Sequence, residues 1–173
     1  MRADNINFAD AALDGPAPLY TPEQRRRRDR TRWTLVQGIL APVQFLIFLV
    51  SLALVLRYLS TGEGALAATI SIVIKTLALY SIMITGSIWE KVVFGKWLFV
   101  PAFFWEDVFS MVVLALHTAY LVMLVGDLGT ERLRMLLALA AYATYAINAG
   151  QFLLKLRAAR LQSESPSRMA VAG

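Results

Sequence analysis

The chain has no cysteine and a single histidine, His117. The first absence excludes a disulfide framework, a thiolate metal site and a cysteine nucleophile. The second excludes a protein-only zinc site, which needs three or four ligands. Charged residues make up only 17% of the 173 positions, against about 25% in ordinary soluble domains. Residues 1–32 contain no apolar signal-type core. The stretch MRADNINFADAALDGPAPLYTPEQ is polar and mildly acidic and holds Pro16, Pro18 and Pro22. It reads as a disordered tail rather than a cleavable signal. No internal repeat appears, and nothing of low complexity beyond one arginine run.

What the chain has in excess is apolar surface. Hydrophobic residues reach 58%, where soluble domains sit near 45–50%. Four apolar stretches, 33–58, 65–88, 104–125 and 133–154, are each long enough for a helix to cross a bilayer, which takes roughly 20 residues. The expected fold is all-α: an integral membrane four-helix bundle over 33–155. The disordered, basic-anchored tail 1–32 precedes it and a polar tail 156–173 follows. Ser60-Thr61-Gly62-Glu63-Gly64 and Gly126-Asp127-Leu128-Gly129-Thr130-Glu131 are the turns, with Thr130 or Asp127 placed to cap the last helix.

The net charge of +5 is concentrated at one end of this bundle. Arg25 to Arg28, Arg30 and Arg32 precede the first span, Lys91 and Lys96 lie in the middle connection, and Lys155, Arg157 and Arg160 follow the last span. The opposite end has only Arg57, Arg132 and Arg134. The positive-inside rule then makes both termini and the middle connection cytoplasmic. A basic run also suits nucleic acid, but one abutting a membrane span reads as a topology anchor, and no nucleic-acid partner is expected. The following apolar stretch is too long for a twin-arginine export signal.

The connection 89–103 is unusually aromatic, with Trp89, Phe94, Trp97, Phe99 and Phe103, and Phe104 and Trp105 follow directly. An interfacial anchor belt uses such residues. So does the apolar wall of a pocket for a flat amphiphile, and the two roles are compatible.

Ionisable groups inside spans cost about 2.5–3.5 kcal/mol each at a helix centre, so they usually mark function. Lys75 and His117 lie near mid-span, Glu90 follows the second span, and Glu106 and Asp107 begin the third. At roughly 100° per residue, Glu106, Ser110 and His117 share a stripe, and Asp107 points away from it. Gln37 and Gln44 in the first span, and Asn148 and Gln151 with Tyr145 in the fourth, make further polar stripes. The bland account is hydrogen-bonded glue between helices. His117 suits a packed neutral hydrogen bonder, an axial ligand to a porphyrin-type metal, or a proton path. Lys75 lies at the wrong depth to reach Glu106.

Three stretches resemble a known family: TPEQRRRRDRTRWTLVQGILAPVQFLIFL, ALYSIMITGSIWEKVVFGKWLFVPAFFWEDVFSMVVLALHTAYL and YAINAGQFLLKLRAAR. They are similar to the 3-vinyl (bacterio)chlorophyllide hydratases of bacteriochlorophyll biosynthesis, over about residues 19–160. The resemblance implies a hydro-lyase of a bacterial inner membrane, cytoplasmic or intracytoplasmic. It would add water to the C3-vinyl group of chlorophyllide a, or a related bacteriochlorin, giving the 3-(1-hydroxyethyl) product. It implies no cofactor, because the magnesium belongs to the tetrapyrrole substrate.

Such a hydration needs an acid to protonate the terminal vinyl carbon and a base to activate water. Desolvation at a dry helix lip favours a neutral carboxyl, and adjacent carboxylates resist being ionised together. Glu106 and Asp107 are therefore the first candidates, with Glu90 third. Acids in a first helical turn also simply favour the helix dipole. Trp89, Trp97, Phe104 and Trp105 are candidates to stack on the macrocycle. Lys75 and Lys96 are candidates for its carboxylate, and His117 for axial ligation of its magnesium. Membrane lipid and neighbouring pathway enzymes are the expected partners, and a homo-oligomer stays open. The alternative is a non-catalytic pigment-binding or assembly subunit, and a small transporter is disfavoured by Gln44 standing where a carboxylate would be needed.

Overall fold

The computed structural model describes residues 19–171, with side chains to residue 158. Helix α1 spans Pro22–Arg30, α2 Arg32–Thr61, α3 Ala65–Phe94, α4 Phe104–Val125 and α5 Glu131–Val171. The last four are long and apolar enough to cross a membrane, α5 over Glu131–Ala158. The fold is thus the expected all-α membrane bundle. At 1.5 Å per residue, the 30 residues of α2 and of α3 reach about 45 Å, well beyond a hydrocarbon core of roughly 30 Å. Their ends therefore extend into the interface, and α3 continues six residues past the expected Ile88.

Residues 22–30 are helical, unlike the disordered tail expected there; residues 1–18 lie outside the described residues. Local chemistry accounts for α1. Thr21 and Gln24 form a reciprocal capping box, Pro22 sits in the first turn, and Glu23 and Arg27 pair across one turn at 3.2 Å. Thr31 closes α1 with extended backbone, and its hydroxyl accepts the Trp33 N–H to open α2. At the far end, Thr130 caps α5 by accepting the Leu133 N–H.

The packing forms two antiparallel hairpins, α2–α3 and α4–α5, with α2 also laid against α5. Their shared core holds Phe48, Val55, Ala68, Ile72, Tyr120, Met135, Ala138 and Tyr142. Ser51 Oγ sits 2.6 Å from both Ser71 Oγ and Tyr142 Oη, so one hydroxyl network joins three helices without leaving a buried orphan. Leu35, Leu46, Val50 and Leu66 face outward, as suits helices solvated by lipid.

A second, smaller core seals the end that carries the termini, called the lip below. Tyr20, Val93, Val100 and Phe103 are buried together. The Tyr20 ring stacks on Phe94 at 5.7 Å, and the Arg28 guanidinium lies 4.8 Å from its centre. Trp89 donates its indole N–H to Thr34 Oγ1 at 2.9 Å, and Thr34 donates in turn to the Arg28 carbonyl at 2.6 Å. These contacts strap α1 over the end of α3. Burial pushes the Tyr20 phenol above its ordinary value of 10.0, opposed by Arg28. A raised phenol stabilises the docked strap fully below pH 10 and loses that contribution as pH climbs through the raised value.

Replacing Tyr20 with alanine removes the buried anchor. We expect limited trypsin digestion to cut Tyr20→Ala rapidly within the arginine run while the four spans stay intact. Wild type should become comparably sensitive only above pH 10.

Candidate active site

The lip brings together the last turn of α3, the connection 95–103 and the first turn of α4. Gly95 ends α3 in the left-handed conformation at φ 82°. The chain then doubles back, and Phe99 itself takes φ 56°. A bulky residue there costs about 1–2 kcal/mol, so the surroundings must hold it in place. They do so with a carboxylate. The Phe99 N–H donates to Asp107 Oδ2 at 2.7 Å, and the next residue, Val100, lies beside the Glu90 carboxyl. The connection thus holds one carboxyl by an amide and lies against a second from the other helix.

The Glu90 and Asp107 carboxyl groups lie within interaction distance of each other. Both are buried, at 6% and 4% exposure. A hydrogen bond between two carboxyl groups requires a proton on one of them. Glu90 Oε2 has no protein partner. Glu106, next to Asp107 in sequence, turns the other way, as 100° of helical rotation demands. Its Oε2 meets Lys155 Nζ of α5 at 2.6 Å, and Lys155 also lies 5.1 Å from the Phe103 ring. The adjacent pair in sequence is therefore split. Asp107 joins Glu90, and Glu106 joins a lysine that the sequence suggested only as a topology signal.

The other candidates fall into three groups. Trp97, Phe104 and Trp105 are exposed at the lip, with Phe99 5.9 Å from Phe104 and Phe104 5.5 Å from Trp105. Lys96 is exposed beside them in sequence, and Lys91 donates to the Gly95 carbonyl at 3.0 Å. Trp89 is half-buried and edge-on to Phe94 and Phe103, so it belongs to the strap core. Lys75 and His117 lie deep in the bundle. Lys75 Nζ stands 3.7 Å over the Tyr145 ring, and His117 Nδ1 donates to the Val113 carbonyl at 2.8 Å. Ten residues of α4 separate His117 from Asp107, about 15 Å. Among the described residues, no three His, Asp or Glu side chains group to hold a metal ion. A groove of about 280 Å³ between α2 and α3, lined by Leu46, Ile47, Val50, Ser71 and Ile74, shares no residue with the lip site.

Sequence reasoning missed the backbone amide of Phe99 and the role of Lys155. The one available signal was the Gly95 and Pro101 pair of breakers between two carboxyl-bearing helix ends.

Known proteins share this sequence. The family described as 2-vinyl bacteriochlorophyllide hydratase (BCHF) matches residues 20–158. A protein of that name from Cereibacter sphaeroides is 70% identical over 148 residues, covering 85% of this chain and 91% of that protein. Its namesake from Rhodobacter capsulatus is 69% identical over 148 residues, covering 85% of each. No solved structure matches the chain.

The left-handed turn at residue 99 makes its own prediction. Phe99→Val places a β-branched residue at positive φ and should lower stability by about 1–2 kcal/mol relative to Phe99→Gly. Thermal unfolding in detergent measures the difference.

Proposed function

This chain belongs to the 2-vinyl bacteriochlorophyllide hydratase family, and we propose that Glu90 and Asp107 are the acid–base pair with which it hydrates the vinyl group. The chain is a membrane hydro-lyase of bacteriochlorophyll biosynthesis acting on a bacteriochlorophyllide-type tetrapyrrole. The vinyl position numbered 2 in the family name is position 3 in the ring numbering of the 3-vinyl substrate. The observation that carries the proposal is the close approach of two buried carboxyl groups at the lip.

The pair divides the labour by its surroundings. Asp107 accepts the short Phe99 amide and lies near the Lys155 ammonium, which suits the carboxylate. Glu90 keeps an oxygen without a protein partner, which suits the acid that presents the proton. Glu90 protonates the terminal vinyl carbon, and the cation on the adjacent carbon spreads into the macrocycle. Asp107 takes a proton from water as the water oxygen bonds to that carbon. The product is the 1-hydroxyethyl group. The pair ends with one proton, moved from Glu90 to Asp107, and their mutual hydrogen bond returns it. No redox cofactor is consumed, and the magnesium arrives with the substrate.

The exposed edge of Phe99, Phe104 and Trp105, with Trp97, gives a flat macrocycle an apolar face beside the pair. Lys96 offers a cation to its carboxylate from the same connection. The free Nε2 of His117 has the chemistry of a magnesium ligand. Its depth of about 15 Å below Asp107 exceeds the distance from a macrocycle's centre to its rim, so we assign it no contact with pigment bound at the lip. The cluster of basic residues at this end supports a lip on the cytoplasmic side of a bacterial inner membrane. There the product, poorly soluble and held in lipid, is open to neighbouring pathway enzymes.

Turnover of chlorophyllide a in oxygen-18 water, by membranes carrying each variant, tests the assignment. Glu90→Gln and Asp107→Asn should each lower kcat by about 10²–10⁴-fold with little change in KM. Glu106→Gln should retain most activity, and wild-type product should carry the label in its hydroxyl. Full activity in either of the first two variants would overturn the pair. Pigment binding without product from wild type would leave a pigment-carrying subunit.

A further inference from the structure

The acid–base chemistry leaves unused a row of buried and half-buried polar side chains beneath the lip. Gln151 and Asn148 lie one turn apart on α5, below the Lys155–Glu106 pair. Asn148 Nδ2 donates to Ser110 Oγ at 2.8 Å, which fixes it to α4. One turn further along α5, Tyr145 lies under Lys75 of α3. The next turn brings Tyr142, whose ring is 5.8 Å from that of His117. There the row meets the shared apolar core, which holds Tyr142, Tyr120 and Met135.

These groups are tightly enclosed: Lys75 is 0% exposed, His117 1%, Gln44 3% and Asn148 8%. Each nonetheless keeps a polar atom without a partner, namely Lys75 Nζ, His117 Nε2, Gln44 Nε2 and Asn148 Oδ1, and Gln151 Oε1 does the same. Buried polar groups of this kind are normally satisfied by something. The signs of the groups identify what. His117 Nδ1 faces a carbonyl and so must donate, which makes Nε2 of the neutral ring an acceptor. Asn148 Oδ1 and Gln151 Oε1 are also acceptors, whereas Lys75 Nζ and Gln44 Nε2 donate. An anion would satisfy only the donors. A metal cation would satisfy only the acceptors and would sit beside a lysine. Water does both, and an internal water typically makes about three such bonds.

We infer that this row holds a file of water molecules within the bundle and delivers to the Glu90–Asp107 pair the water that the reaction consumes. The inference rests on the acid–base assignment of that pair. A macrocycle seated on Phe99, Phe104 and Trp105 covers the lip from the lipid side, so the second reactant comes from the protein side. The file ends at Gln151 and the Lys155–Glu106 pair, whose charges act on Asp107 from nearby.

The test is X-ray radiolysis of the full chain in lipid nanodiscs and oxygen-18 water, which labels side chains touched by bound water. His117 and Tyr145 should take up label. Met135 is an internal control: it is 1% exposed, in the apolar core, and intrinsically more reactive. It should stay unlabelled. Asn148→Leu, which blocks the file with an apolar side chain, should lower kcat about tenfold while the pigment KM holds. Labelling of His117 and Tyr145 no stronger than that of Met135 would overturn the file, whatever the variant does. Unchanged kcat in a folded Asn148→Leu would overturn its role in delivery. An inactive Glu90→Gln that still labels His117 separates the file from the pair. A fully active Glu90→Gln would sink the pair without touching the labelling result.

Discussion

Two carboxyl groups in contact inside a protein are costly unless they share a proton and their remaining lone pairs are met. The lip of this bundle is arranged around that constraint. Glu90 comes from the end of one span and Asp107 from the start of the next, and the Phe99 amide of the intervening chain donates to Asp107. Holding that amide in place requires Phe99 in a left-handed conformation. Holding the connection in place requires Val100 and Phe103 to be buried, and they are buried against Tyr20 and Val93. The strap, the aromatic connection and the carboxyl pair are thus successive layers of one arrangement. The strained backbone lies beside the proposed acid–base pair, as at many functional sites.

The division between Glu106 and Asp107 gives the site its charge balance. Had both turned inward, three carboxyl groups would have crowded one end of the bundle. Instead Glu106 is paired with Lys155 across the α4–α5 seam, and in the proposed scheme the pair at Asp107 keeps a single proton to exchange. An ammonium near Asp107 and an unpartnered oxygen on Glu90 then distinguish the two groups by environment alone. The same rule assigns acid and base wherever two carboxyls share a site.

Much of this was legible in the sequence, because membrane spans announce themselves by length and apolarity. Span 104–125 coincides with α4, and Thr130 caps α5 as its type suggests. The stripe of Glu106, Ser110 and His117 is buried as helical phase requires. What sequence did not show was which carboxyls meet. Glu90 sits beyond the apolar stretch that defined the second span, and only the continuation of α3 to Phe94 carries it to Asp107. The turn of Phe99 into positive φ has no side-chain signature, since bulky residues avoid it. Trp89 looked like a stacking surface by composition, yet its N–H is committed to Thr34. Residues 22–30 read as a tail because their charge masked a well-capped helix.

The shared proton is the central claim, and infrared difference spectroscopy observes it directly. The C=O stretch of a protonated carboxylic acid is separate from the bands of carboxylates and shifts on deuteration. Wild-type protein in lipid at neutral pH should show such a band, and both Glu90→Gln and Asp107→Asn should alter or abolish it, whereas Glu106→Gln should leave it in place. A band that survives unchanged in Glu90→Gln and Asp107→Asn, or that vanishes only in Glu106→Gln, would contradict the account.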